Sequence, residues 1–376
     1  MNDCQRFLAL MEYEPVDRAP NWEAGLWPQT RERWMAEGLD PRQFHFNWFA
    51  GESALGMDVR EFIYFSSDLL PPFEHEVLEE DAQTMVFRDN KGRVRRALKR
   101  GSVGENRMSM DTYLRHPVEN LNDWQQIRKR YDARDARRYE PNWRSLRVRG
   151  WHERSHPLIF GPNASTKGFY WVARELMGTE NLSLGWYDQP KMMHDMMEFW
   201  GDFLIEAARP ILETTSVEYI CLAEDLAMKT GPLLGPQTYR QFIYPHLRRL
   251  IEFLKTNGVR YICIDTDGNP EPLIPMMLDA GVDAMWPLER AAGQDPVRLR
   301  KTFGRSLRLW GGVDKRELAK DSTAIDAHLE CLAPLIEQGG FIPTVDHTVP
   351  PDVSWMNFQH YMQSKQCLLN GQERGA

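Results

Sequence analysis

Apolar and polar positions change rhythm twice along this chain. From residue 157 onward, short apolar runs alternate with longer segments of helical spacing. The runs are Pro157–Phe160, Glu218–Leu222, Arg260–Ile264, Val282–Trp286, Leu307–Trp310 and Phe341–Val345. Between them, apolar residues recur every three to four positions. Lys191 to about Thr214 is the clearest case, with Met192, Met193, Met196, Phe199, Trp200 and Phe203 on one stripe. Helices are likewise expected near Phe169–Met177 and over Tyr239–Thr256, Pro272–Ala280, Pro296–Thr302 and Ile325–Gln338. Strands alternating with helices at this spacing predict a parallel sheet with helices outside. No G-x-G-x-x-G follows any strand, which disfavours a nucleotide-binding open sheet. The expectation is therefore an α/β protein of one domain, 1–376, built as a (β/α)8 TIM barrel.

The first part reads differently. A short helix precedes Ala19–Glu23, and Asn21–Glu23 is expected as the first barrel strand. A helix over Thr30–Glu37 stops at Gly38. Residues 60–117 carry β-type runs (Phe62–Phe65, Met85–Arg88, Val94–Leu98) around the turn Asp89-Asn90-Lys91-Gly92. They predict an N-terminal β-rich antiparallel insertion near the barrel mouth. Residues 118–150 read as a surface helix and a connection, anchored by Trp124 and Trp143.

Composition narrows the partners. The 376 residues carry a formal charge of −8, with 42% hydrophobic and 27% charged positions. That balance argues against nucleic acid or an anionic membrane as partner and fits a small-molecule substrate. Five scattered cysteines without a C-x-x-C pair point to reduced thiols and a cytoplasmic setting. No apolar run reaches the length of a membrane span or a signal peptide.

The chemistry gathers where strands end. Ala223-Glu224-Asp225, Asp265-Thr266-Asp267-Gly268-Asn269, Pro287-Leu288-Glu289, Gly311-Gly312-Val313-Asp314-Lys315 and Asp346-His347 each follow a strand. In a barrel these ends converge on the face that holds active sites. Clustered carboxylates repel unless a cation or shared protons offset them. Asp265, Asp267 and His347 supply a mixed oxygen and nitrogen set suited to a divalent metal, zinc foremost. Glu224 is the candidate acid or base, with Asp346 and Glu23 beside it. Glu289 and Lys315 are candidate substrate contacts, as are Trp22 and Trp27, which with Trp48 and Trp286 could stack a planar group. Each has a plainer reading. Asp-x-Asp-Gly-Asn is ordinary turn chemistry, Asp225 can cap a turn, and aromatic residues usually fill cores.

Several stretches resemble the uroporphyrinogen decarboxylase superfamily. They are Pro15-Val-Asp-Arg-Ala-Pro20, Gly231-Pro-Leu-Leu-Gly-Pro236, Gly311-Gly-Val-Asp314 and Asp346-His347 with Pro350-Pro-Asp352. The resemblance covers nearly the whole chain and implies the barrel with a cleft at the strand C-termini, often in a homodimer. True decarboxylases of that superfamily carry Arg-Gln-Ala-Gly-Arg after the first strand. Here Asn21-Trp-Glu-Ala-Gly-Leu26 lacks both arginines, so a polycarboxylated tetrapyrrole would be poorly held. The other branch, the corrinoid-linked methyltransferases, uses zinc on a His-x-Cys pair and a later Cys. Asp265-x-Asp267 occupies that place, with Asp346-His347 near the third ligand. The resemblance thus implies a metal-assisted methyltransferase, an O-demethylase component that passes a methyl group to a corrinoid protein. A carboxy-lyase acting on a small carboxylated substrate is the first alternative, and a non-catalytic binding member the second.

Overall fold

The computed structural model describes residues 1–43, 49–99, 102–103, 106–107, 111–161 and 165–371, without side-chain detail at 43, 102–103 and 106–107. Trp48 lies outside the described residues.

Seven parallel strands form one sheet. In spatial order they are Glu61–Ile63, Leu158–Phe160, Tyr219–Ala223, Tyr261–Asp265, Ala284–Trp286, Arg308–Val313 and Phe341–Val345. The two-residue strand Thr166–Lys167 adds to Tyr219–Ala223. Spatial order equals chain order, as successive right-handed crossovers require. The sheet is strongly curled. The Tyr219 and Trp310 rings sit on strands three places apart, which in a flat sheet lie about 14 Å from each other. Their centroids are 4.9 Å apart. Phe7, from the first helix Asp3–Glu12, plugs the interior against Trp22, Tyr219, Tyr261 and Trp310.

Helices cover the outside. Pro190–Leu212 buries Met192, Met193, Met196, Trp200, Phe203, Leu204, Ala207 and Ile211 at helical spacing, the stripe visible in the sequence. The helix expected over Tyr239–Thr256 is two helices, Pro236–Phe242 and Tyr244–Thr256. Pro245 has no N–H to continue the ladder, so the break falls at Ile243. Among the described residues no helix is long and apolar enough to cross a membrane.

Two readings of the first part need correction. The Phe62–Phe65 run belongs to the parallel sheet, because Glu61–Ile63 pairs in parallel with Leu158–Phe160. Its apolar character reflects burial between strand and helix, which local sequence does not distinguish from a hairpin. Asn21–Glu23 forms no regular strand. Residues 19–27 run between the two open edges of the sheet, with a single bridge from Leu26 to Val349.

The antiparallel part is narrower than 60–117. Four strands, Glu76–Glu80, Thr84–Arg88, Val94–Leu98 and Thr112–Arg115, pair in chain order. The Asp89–Gly92 turn forms as expected. Asp89 accepts from the Lys91 and Arg93 amides at 3.0 and 2.9 Å, and Gly92 takes φ +82°. Lys91 at its tip pairs with Glu175, which ties this sheet to the helix Phe169–Met177.

Candidate functional site

The strand ends bring acidic side chains toward one mouth, Asp225, Asp265, Asp267 and Glu289 among them. Asp265 closes its strand and accepts a hydrogen bond from Ser165. Burial, then the charges of Asp225 and Asp267, holds the Asp265 carboxyl well above the usual carboxylate range. Asp225 follows Glu224 in an unusual backbone conformation, φ +42°. For a residue with a Cβ that costs about 1–2 kcal/mol, and such strain concentrates at functional sites. Burial and Asp267 push the Asp225 carboxyl up to about 6, while Arg174 opposes the shift. Arg174 donates to the Asp225 carbonyl at 3.2 Å, and its guanidinium lies 3.8 Å from the carboxylate.

Asp267 sits one step further out. Its Oδ1 is 3.6 Å from His347 Nε2. Burial raises its carboxyl, while His347 opposes. His347 bonds Thr348 through Nδ1 at 2.8 Å, and its ring lies parallel to Trp286 with centroids 6.2 Å apart. Gly268, at φ +78°, donates its amide to Glu289 Oε2 at 2.9 Å. A Cβ there would meet the Ala227 carbonyl oxygen at 2.6 Å, so this turn requires glycine. The other Glu289 oxygen faces Lys315 Nζ at 3.3 Å. Glu289 and Lys315 therefore bracket the loop from one side.

Three expected catalytic groups are engaged with backbone. Glu224 is buried, and its two oxygens accept from the Phe169 and Tyr170 amides at 3.0 and 2.6 Å. It caps the helix Phe169–Met177, where a negative group is favoured. Burial nevertheless pushes its carboxyl up to about 7, against the pull of those amides. Gly168 makes room, since a Cβ there would meet the Glu224 carboxyl carbon at 2.3 Å. Asp346 is fully buried and accepts from the Lys315 and Arg290 amides at 3.0 and 2.9 Å. Glu23 is buried against Lys365, Tyr361 and the Val345 amide. Trp22 lies in the interior core, 2% exposed, whereas Trp27 is 48% exposed at the start of the helix Pro28–Ala36.

Three hollows bear on access. A cavity of about 750 Å³ runs between the antiparallel sheet and the helix Phe169–Met177, past Tyr113, His116, Trp171 and Arg174, and its lining includes Asp225. Its size suits a small-molecule ligand. The interior below the mouth keeps about 30 Å³ beside Trp22, Arg60, Tyr219 and Trp310, room for a water or two. Another hollow, about 1460 Å³, lies outside the sheet between residues 133–147 and the helix Pro190–Leu212 and contains none of the mouth residues. Arg–Glu pairs such as Arg147 with Glu140 occupy it.

The donor types at the mouth, one imidazole and several carboxylates, are those a hard divalent ion takes. Asp267 and His347 are spaced as two ligands of one ion would be. Among the described residues, however, no group of three or more His, Cys, Asp or Glu side chains is arranged to hold a metal. Lys315 and Arg174 already offset part of the negative charge. The residues as placed do not form a metal centre.

Sequence reasoning named the mouth but missed its inner end. Asp225 was legible as one more strand-end carboxylate and was read as a turn cap. Arg174 sits in the last turn of its helix, where a basic residue is ordinary, so its role shows only in the packing of that helix over the strand end.

Comparison with known proteins agrees on the architecture. The Uroporphyrinogen decarboxylase (URO-D) family profile matches residues 166–366. A methylated-thiol–coenzyme M methyltransferase from Methanosarcina mazei is 23% identical over 168 residues, 44% of this chain. That match spans 41% of the relative's length. A solved methyltransferase structure from Methanosarcina mazei superposes with TM-score 0.59 at 16% identity, covering 97% of this chain and 98% of that one. At that identity the likeness is one of fold.

Proposed function

The chain belongs to the uroporphyrinogen decarboxylase (URO-D) family, and from that premise we propose that it is a methyltransferase whose mouth carboxyls act as proton donors. We read its curled sheet as an eight-position barrel in one domain, with residues 19–27 in the first position and the antiparallel strands as an insertion near the mouth. The observation that carries the reading is the trio Asp225, Asp265 and Asp267. All three carboxyls are raised, by burial first; Asp267 adds to the rise at Asp225, and Asp225 and Asp267 add to it at Asp265. Carboxyls that cannot all ionise together keep a proton near neutral pH.

Such a group suits removal of a methyl group from an oxygen. A nucleophilic acceptor attacks the methyl carbon and the C–O electron pair passes to the oxygen. A carboxyl of the trio gives that oxygen its proton, and the product is an alcohol. Asp225 is the first candidate because it lines the cavity. The carboxylate left behind is offset by Arg174, while His347 and Lys315 do the same for Asp267. Without the donor, the leaving oxygen would depart as a costly anion. A corrinoid carried by a partner protein is the acceptor this reading favours. Glu224 and Asp346 hold the frame in this scheme, because their oxygens are already bonded to amides, and so does Glu23, bonded to the Val345 amide, Lys365 and Tyr361. Glu289 and Lys315 set the loop that carries Asp267.

A divalent metal, zinc foremost, on Asp265, Asp267 and His347 is the second reading, favoured by the 3.6 Å spacing of Asp267 and His347. Elemental analysis of the protein purified without chelators separates the two. The proton-donor reading expects no stoichiometric metal and no loss of turnover with chelator. About one zinc per chain, lost in Asp267→Ala, would overturn it.

A further inference from the structure

Where a barrel would close, this chain has no strand ladder. Residues 19–27 lie between the edge strands Phe341–Val345 and Glu61–Ile63 with one bridge only. Backbone polar groups buried there must still find partners. Asn21, Ala24, Gly25 and Trp27 bond other backbone groups, while the Trp22 carbonyl and the Val345 amide find buried charges. Lys365 Nζ donates to the Trp22 carbonyl at 2.8 Å and to Glu23 Oε1 at 2.5 Å. Tyr361 donates to the same oxygen, and the Val345 amide donates to Glu23 Oε2 at 2.9 Å. Lys365 and Glu23 side chains have no exposed surface.

A fully buried ion pair is a poor device for stability, since desolvation consumes most of its attraction. A well-packed apolar pair would do as well, but it would offer no acceptor to Val345 and no donor to Trp22. Val345 is the residue immediately before Asp346-His347. We infer that Glu23, Lys365 and Tyr361 form a latch that closes the barrel seam and fixes the direction in which Asp346 and His347 leave their strand. These are positioning residues. The inference rests on the mouth being the working site, because its consequence is where His347 stands relative to Asp267.

The helix Trp355–Leu369 carries two of the three groups, four residues apart and hence on one face. Its docking and the geometry of the mouth are thus set by the same bonds. Burial lowers the Lys365 pKa while Glu23 opposes, so the pair is mutually dependent, and removing one member strands the other.

Two neutral double variants separate position from fold. Glu23→Gln with Lys365→Met keeps a carbonyl oxygen for the Val345 amide. Glu23→Leu with Lys365→Met fills the space but offers none. Amide exchange by mass spectrometry and the His347 ring signals by NMR are read on both, with no substrate needed. The latch predicts that both fold, the Leu/Met variant melting about 1–4 °C lower because its Val345 amide is unsatisfied. Only the Leu/Met variant should then exchange peptide 342–348 faster, by about tenfold or more, and show displaced His347 signals. The Gln/Met variant should keep both near wild type. The helix Tyr244–Thr256 should be unchanged throughout. Wild-type exchange and unchanged His347 signals in a folded Leu/Met variant would overturn the inference, as would equal loss in both variants. If neither variant folds, Tyr361→Phe decides. It removes one bond to Glu23, and a latch requires faster exchange at 342–348, while an unchanged rate there refutes it. Should the latch hold while methyl transfer is never observed, the functional reading fails and the latch stands.

Discussion

Replacing Glu224 tests whether this buried carboxylate is frame or catalyst. Its two oxygens are the acceptors for the Phe169 and Tyr170 amides at a buried helix start. In Glu224→Ala both amides lose that partner. Each buried donor left unsatisfied costs about 1–3 kcal/mol, so the two together cost about 2–6 kcal/mol. Glu224→Gln keeps one acceptor and should cost about half as much. The unfolding entropy of 376 residues is about 0.8 kcal/mol/K at about 2.1 cal/mol/K per residue. Glu224→Ala should therefore lower Tm by about 3–8 °C and Glu224→Gln by about 1–4 °C. Calorimetry with far-UV circular dichroism measures both. A pH series adds a second handle. The Glu224 carboxyl is raised from its ordinary 4.5 to about 7 in the folded chain. A raised acid favours folding below its unfolded value and loses that contribution as pH climbs through the folded one. Wild type should thus lose stability between about pH 4.5 and 7 in a way that Glu224→Gln does not. The reasoning is refuted if Glu224→Gln melts as wild type does at every pH yet has no turnover. That result would restore Glu224 as the acid or base.

Other consequences follow from the mouth. Asp225→Gly relieves a positive φ and should raise stability by about 1 kcal/mol in denaturant titration while slowing turnover by about 10²-fold or more. The pH–rate profile of wild type should lose activity above about pH 6, as the raised Asp225 carboxyl ionises and ceases to be a donor, and Asp225→Asn should lack that inflection. Gly268→Ala places a Cβ 2.6 Å from the Ala227 carbonyl oxygen at a φ of +78°. It should cost about 2 kcal/mol or more in thermal unfolding and depress turnover with little change in helix content.

The later two thirds of the fold were legible because each strand and helix announces its own period. The stripe from Met192 to Phe203 and the run Arg260–Ile264 needed no tertiary information. The seam was not legible. Residues 21–26 look like a strand and are held like one, but by Lys365, Arg60 and Asp58, which lie far away in sequence. The Phe62 run was misread for a related reason. Whether a short apolar run pairs in a hairpin or in a parallel sheet depends on partners about a hundred residues distant. At the site, strand-end carboxylates were found by position alone. Their division of labour was not, because only packing shows that Glu224 and Asp346 are consumed by amides while Asp225 remains open to the cavity.

The central claim is methyl transfer assisted by the mouth carboxyls. The direct measurement mixes the purified chain with reduced cobalamin and a series of methyl ethers, methylamines and methyl thioethers, and follows methylcobalamin by its absorption spectrum. The account predicts that an ether methylates cobalamin, that Asp225→Asn and Asp267→Asn each slow this by about 10²-fold or more, and that Glu224→Gln retains most of the rate in folded protein. Carbon dioxide release from a carboxylated substrate, dependent on these same aspartates and unaccompanied by methylcobalamin, would contradict it.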